Sequence, residues 1–439
     1  MHGGARQSSA AARPARLAVI ADDLTGANDT GVQFARRGAR TVVCLAWQDL
    51  SGQGEDADVL VLNTASRALP ARAAARRVTR AARAALRAKI DAVYKKVDST
   101  LRGNIGAELE ALLHVFPSPL AVLAPAFPPA GRTVRDGRLL VHGTPVHRTA
   151  AGTDPVTPVR ESHLPTLLAG QVARPIFSLG LDVLRGSPAR LAAAVRAWRA
   201  AGPGLVVADA ETPEDLRRLA RLVLREALPV SAGSAGLALA LSQAQRWARR
   251  GGRRRPRTGR PILLVVGSPN PVSLEQAGRV EREGAFRVAA SLPDIQAGGE
   301  RCRRELSRVV ASAACSLGEG RDTLVTLAQG RRRLRAGASA RLSRFLGQAA
   351  ARLARRAEPG GLVLCGGDIA VASCRALHAS GVRLRGEIEP GLPWGELLGG
   401  QAAGLRVATK AGGFGTPEAF VRAARFLRGA GRRPSQETA

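Results

Sequence analysis

Short apolar runs recur along this chain, and each stops at a polar or glycine-bearing tip before a helical spacing begins. Residues 17–21 (Leu-Ala-Val-Ile-Ala) run straight into Asp22-Asp23 and an amphipathic segment, and residues 41–45, 59–63, 90–97 and 120–123 repeat the signal. Apolar runs of roughly four to eight residues without alternation are what strands buried on both faces look like, and such strands belong to parallel sheets covered by helices. The alternation continues through 175–178, 189–200, 204–208 and 213–227, and again at 261–266, 287–290, 323–327 and 361–365. It predicts an α/β chain with largely parallel sheets whose strand tips share a rim, the usual ligand position in such folds.

At 439 residues the chain exceeds one ordinary core, and two domains are expected. The arginine-rich stretch 249–260, interrupted by glycine and proline, reads as a linker between a domain at 17–248 and a second at 261–430. Residues 1–16 read as a disordered tail, since they lack the apolar core of a signal peptide. No run approaches the roughly 20 apolar residues that cross a bilayer. The five cysteines form no CxxC pair and no cluster with histidine, which reads as reduced thiols in a cytoplasmic protein. A formal charge of +31 would suit a polyanion, but the arginines are spread over almost every helical segment, and aromatics are only 3% of residues. Without a basic surface interleaved with aromatics, small anions are better partners than a specific nucleic acid.

Two sets of tips carry the chemistry. Residues 95–106 (Lys-Lys-Val-Asp-Ser-Thr-Leu-Arg-Gly-Asn-Ile-Gly) pass from a strand into a helix, and they hold two of the four lysines of a chain that otherwise uses arginine. Compact ammonium groups beside Asp98, with Arg102 able to fork a carboxylate, suit a small anion. Asp22 and Asp23 could hold a metal ion, accept a hydroxyl proton or cap the helix that follows. Asp22, Arg67 and Asp98 are thus expected on one rim. In the second half the tips are Gly267-Ser268, Gly366-Gly367-Asp368 and Gly412-Gly413, where glycine lets backbone N–H groups approach a polyphosphate. No GxxxxGK[ST] occurs, and no GxGxxG follows a strand, so a nucleotide site must be of another design. Ser234 nearly completes a hydrolase nucleophile elbow, but Ala232 stands where its first glycine belongs, and packing at a helix start is the better reading.

The segments ADDLTGANDTGVQ from Ala21, NTASR from Asn63, YKKVDSTLRGNIGAE from Tyr94, AGRTVRDGRLLVHGTPV from Ala130, GGDIA from Gly366 and TKAGGFG from Thr409 together resemble the four-carbon acid sugar kinase family. The resemblance implies an N-terminal domain for the sugar acid, a C-terminal domain for ATP with Mg²⁺, and phosphoryl transfer in the cleft between them. It implies D-threonate as the acid, phosphorylated at its 4-hydroxyl, ahead of D-erythronate or 3-oxo-tetronate. Carried over by motif, Asp22, Arg67, Lys95, Lys96, Val97 and Asp98 would contact the acid; the residues themselves add Arg102 as a contact and Asp22, Asp23 and Lys95 as catalytic groups. Ser268, Gly366, Gly367, Asp368, Gly412 and Gly413 would hold ATP. Asp22, Asp23 and Asp98 stay open as the base, metal ligands stay unassigned, and a homodimer is one option for the assembly. The reading from a different class is an anion- or nucleic-acid-binding protein without turnover.

Overall fold

The computed structural model describes residues 16–45, 47, 56–245, 247, 259–328 and 338–429. The expected tail, apart from Arg16, and the expected linker, apart from Gly259 and Arg260, lie outside them. In chain order the strands are β1 (Leu17–Ala21), β2 (Thr41–Cys44), β3 (Val59–Asn63), β4 (Ala92–Lys96), β5 (Leu120–Ala124), β6 (Arg132–Arg135), β7 (Arg138–Val141), β8 (Thr144–Pro145) and β9 (Ile176–Leu179). They continue with β10 (Gly204–Ala208), β11 (Val230–Gly233), β12 (Ile262–Val266), β13 (Phe286–Ala290), β14 (Thr323–Leu327), β15 (Gly361–Cys365), β16 (Gly381–Glu387), β17 (Pro393–Leu398) and β18 (Arg406–Lys410).

Fifteen of these strands form one sheet, ordered β13-β14-β12-β15-β18-β17-β16-β2-β3-β1-β4-β11-β5-β10-β9. The N-terminal strands from β2 to β9 pair in parallel throughout, as do β13, β14, β12, β15 and β18. The two parallel halves are joined by antiparallel pairs, with β17 beside β18, β16 beside β17, and β16 beside β2. Parallel strands need covered faces, and β12 shows the consequence. Its Leu263 and Val265 enter the core that extends into the N-terminal half, while Ile262, Leu264 and Val266 enter a second cluster around Phe420.

The join departs from the sequence expectation. After the helix Gly367–Ala376, β16 and β17 form a hairpin with a register shift between Leu384 and Gly386, where the sequence pattern marks no strand. A separate small antiparallel sheet is ordered β6-β7-β8, with β7 and β8 forming a tight hairpin over residues 138–145 and β6 pairing the other edge of β7.

The helix Leu24–Ala35 is the element that both halves share. Asp23 caps it by accepting from the Gly26 N–H at 2.9 Å. Across the join, Asn28 donates to Thr409 Oγ1 at 2.8 Å, Arg36 pairs with Glu387 at 2.8 Å, and Gly31 faces Leu384. A side chain at Gly31 would meet Leu384 Cδ1 at 2.8 Å and Val61 Cγ2 at 3.0 Å, so the two halves pack closely against this face of the helix.

Candidate active site between two rims of one sheet

The N-terminal rim is a network of paired charges at the carboxyl ends of β1, β3 and β4. Arg67 donates Nε to Asp22 Oδ2 at 2.7 Å and Nη2 to Asp22 Oδ1 at 2.9 Å, and reaches Asp23 with Nη2 at 2.8 Å and Nη1 at 3.1 Å. Asp98 lies 3.8 Å from the same guanidinium. Four of Arg67's five N–H donors are used in these bonds, leaving one. Arg102 forks Asp98 at 2.9 and 3.0 Å and touches Asp154 at 3.3 Å. The backbone bends hard to build this rim. Ala65 and Leu101 take positive φ values of 48° and 65°, and at Gly103, φ 97°, a side chain would stand 3.3 Å from both Asp22 Oδ2 and Arg67 Cγ.

These pairings set the carboxyls apart. Burial pushes Asp22 up, but Arg67 and the two neighbouring lysines outweigh it and hold the acid below its usual range. Burial likewise opposes ionisation of Asp98, yet Arg67 and Arg102 bring it well below the ordinary value. Asp23 goes the other way, raised by burial and by the Asp22 charge despite Arg67. None of the three expected bases is free: both oxygens of each carboxylate accept from arginine or lie beside one.

The two adjacent lysines have parted. Successive residues of a strand point to opposite faces. Lys95 turns toward the helix Ile105–Val115 and pairs with Glu108 at 2.8 Å, with side chains 1% and 2% exposed. Ser66 donates to the other Glu108 oxygen at 2.6 Å. The expectation of Lys95 as a catalytic and substrate-touching ammonium is therefore corrected: its charge is spent on a buried carboxylate and on the carbonyl of Lys96. Lys96 points the other way, donates to the Val97 carbonyl at 2.8 Å, and would be only 3.0 Å from a side chain at Gly26. Its charge acts on Asp22, Asp23, Asp98 and Asp29. Ser234 does not act as a nucleophile elbow. Its buried hydroxyl donates to the Ala126 carbonyl at 2.8 Å and accepts from the Gly236 N–H, capping the helix Ala235–Ala244.

The C-terminal rim is built from backbone. β12, β15 and β18 are neighbours in the sheet, and their tips bring together Ser268, the Gly366-Gly367-Asp368 turn and Gly412-Gly413. A Cβ at Gly412 would fall 2.2 Å from Ser268 Oγ and one at Gly413 3.3 Å from Asn270 Nδ2, so these strand tips close on one another. Gly366 has φ 113° and opens the helix Gly367–Ala376, while Asn270 caps the helix Pro271–Arg282. First-turn N–H groups and the positive helix end suit phosphate oxygens. Lys410 stiffens the cradle rather than reaching into it, since its buried ammonium donates to the carbonyls of Ala411, Gly412 and Phe414 at 2.7, 3.0 and 2.8 Å. The geometry thus fits a nucleotide held by main chain, without a P-loop.

Where the shared helix meets the C-terminal rim there is a pocket lined by Thr25, Asn28, Asp29, Gly366, Gly367 and Thr409. The reading from sequence passed over Asn28, Asp29 and Glu108. Thr25, Asn28 and Asp29 stand at i, i+3 and i+4, a spacing that puts them on one helix face. Glu108 falls on the buried stripe of Ile105, Leu109 and Leu112, where a carboxylate demands a cation.

Two family models divide the chain along the same line: a sugar-binding N-terminal domain matches residues 17–241 and a nucleotide-binding C-terminal domain matches residues 263–420. A Salmonella typhimurium protein named D-threonate kinase is 37% identical over 94% of this chain and 98% of its own, and one of the same name from Bordetella bronchiseptica is 41% identical over 94% and 97%. A D-erythronate kinase from Heliobacterium modesticaldum is 35% identical over 94% and 97%. A solved Salmonella typhimurium structure, described as a putative tRNA synthase, matches with a TM-score of 0.80 at 25% identity, covering 94% of this chain and 99% of that one. Among the described residues no helix is long and apolar enough to cross a membrane. With both family models matched and these relatives similar along nearly its whole length, the chain belongs to the four-carbon acid sugar kinase family, as a phosphotransferase.

Proposed function

We propose that this protein transfers the γ-phosphoryl group of ATP to the 4-hydroxyl of D-threonate, with residues 17–248 receiving the acid and residues 261–430 the nucleotide. The observation that carries the reading is the Arg67 and Arg102 network at the N-terminal rim. A polyhydroxy acid carries one carboxylate and several hydroxyls, and this rim answers both. The N–H donors that Arg67 and Arg102 retain can grip the carboxylate, while Asp22 and Asp98, kept ionised, accept from hydroxyls. An inorganic anion would gain nothing from the two aspartates. D-threonate is preferred over D-erythronate on the relatives, since the two most similar of those named above carry that acid in their names.

Ser268, the Gly366 to Asp368 turn and Gly412 with Gly413 would receive the phosphates through main-chain N–H groups. Mg²⁺ enters with the nucleotide to offset the charge on its phosphates. No cluster of three or more metal-type side chains gathers among the described residues, so phosphate oxygens would supply most of its ligands. Positioning and electrostatics are what such a transfer needs from a protein.

The test is ADP release from the purified chain over a panel of C4 sugar acids with ATP and Mg²⁺, with ³¹P–¹H NMR to locate the phosphate on the product. D-Threonate should give the highest kcat/KM and a 4-phosphate. A preference for D-erythronate, or a phosphate on another hydroxyl, would replace the substrate, and no turnover of any C4 acid would overturn the proposal.

A further inference from the structure

The carboxylates that sequence offered as the base are all committed to guanidinium groups, and Asp98 and Asp22 are also too acidic to take a proton readily. Asp29 is different. It lies near the middle of the shared helix Leu24–Ala35 and lines the pocket beside Gly366 and Gly367 of the nucleotide rim. Among the described residues its carboxylate has neither a hydrogen-bond donor nor an ion-pair partner, unlike Asp22, Asp23, Asp98 and Asp154. One position earlier, Asn28 is 2% exposed, donates its amide to Thr409 across the domain join, and leaves its Oδ1 buried without a partner. A buried acceptor without a donor costs stability unless something fills it, and this one lines the same wall as an unpaired acid.

We propose that Asp29 is the catalytic base, with Asn28 Oδ1 accepting from another hydroxyl of the same acid. This rests on the kinase reading above and names the residue that the reading lacks. The acceptor hydroxyl loses its proton to Asp29 as its oxygen bonds to the γ-phosphorus. The bond from that phosphorus to the β,γ-bridging oxygen breaks, and ADP leaves with the electron pair. The proton later passes from Asp29 to solvent. The location suits this work, because a base must reach the hydroxyl where sugar-acid and nucleotide sites meet. The paired carboxylates lie on the N-terminal rim, whereas Asp29 lines the pocket with Gly366, Gly367 and Thr409 of the C-terminal half and is still close enough to Lys96 and Asp23 to feel their charges. Burial raises the Asp29 carboxyl, with Asp23 adding repulsion and Lys96 opposing, which brings the base nearer to neutrality. Tyr94, Glu387 and Lys410 are the other titratable groups around it.

The experiment measures kcat, KM for D-threonate and KM for ATP of the full chain and of Asp29→Asn, Asp29→Ser and Asp29→Glu, with melting curves. Removing a general base should lower kcat of the Asn and Ser variants by about a hundredfold to ten-thousandfold, with both KM values within about threefold of the parent and some kcat recovered in Asp29→Glu. Two substitutions keep the test open if one fails to fold. A folded Asn or Ser variant with kcat within about threefold of the parent, or one whose loss is confined to KM for ATP, overturns the assignment. If the parent itself fails to turn over any C4 acid, the kinase reading has failed. If the parent turns over and Asp29→Asn keeps pace with it, only this inference has.

Discussion

Two rims of one sheet offer an anion different kinds of partner. At the N-terminal rim the tips of β1, β3 and β4 present side chains, and every arginine there is counterbalanced by carboxylates. At the C-terminal rim the tips of β12, β15 and β18 present glycines and helix starts, and its one lysine serves the loop's own carbonyls. Side chains with branched polar ends can distinguish hydroxyl patterns, so they belong where the acid must be recognised. Main-chain N–H groups read charge and shape without stereochemistry, which suffices for a triphosphate. Each rim should therefore fail in its own way when damaged.

The largest effect should come from neither ligand contact but from the pair beneath the N-terminal rim. Breaking a buried ion pair by removing one partner costs about 3–5 kcal/mol, so Lys95→Met should lower stability by that order in chemical denaturation. The double variant Lys95→Met/Glu108→Leu should recover most of it, since replacing both charges with apolar groups is often close to neutral. Loss of turnover in a fully folded Lys95→Met, with stability unchanged, would return Lys95 to the active site and blur the contrast.

Arg102→Leu removes charge-assisted bonds at the rim, each worth about 1.5–3 kcal/mol. KM for the acid should rise roughly ten- to a hundredfold, with ATP affinity unchanged. Arg102→Lys should fall between, because an ammonium cannot fork Asp98 as the guanidinium does. A shift in ATP affinity of equal size would show that the rims do not divide the labour.

Gly412→Ala probes the other side. Overpacking a tight contact costs about 1–3 kcal/mol, and the added methyl would collide with Ser268 Oγ. KM for ATP should rise several-fold to a hundredfold while KM for the acid stays put. An effect on the acid alone would remove the phosphate-cradle role from this turn.

Much of this arrangement could be read in the sequence, and the reasons are local. The tips Asp22, Arg67 and Asp98 were legible because β1, β3 and β4 are short apolar runs with abrupt ends, and adjacent parallel strands put such ends side by side. What adjacency in sequence concealed was facing. Lys95 and Lys96 look like one basic site, yet a strand sends one to each side of the sheet. The join was missed for a different reason. Val382 and Leu384 alternate with Arg383 and Arg385 as a half-buried strand should, but its pairing with β2 is a contact across more than 300 residues that no local pattern specifies. Asp29 lies in the same segment as Asp22 and Asp23 with nothing local to set it apart, since only the fold reveals which carboxylates arginine has already taken.

The most direct measurement is a crystal structure of the full chain with D-threonate and a non-hydrolysable ATP analogue. The account predicts the acid on Asp22, Arg67, Asp98 and Arg102, the triphosphate on Gly366, Gly367 and Gly412, and the acceptor hydroxyl within hydrogen-bond distance of Asp29. An acid seated on the glycine rim, or phosphates held by Arg67 and Arg102, would contradict it.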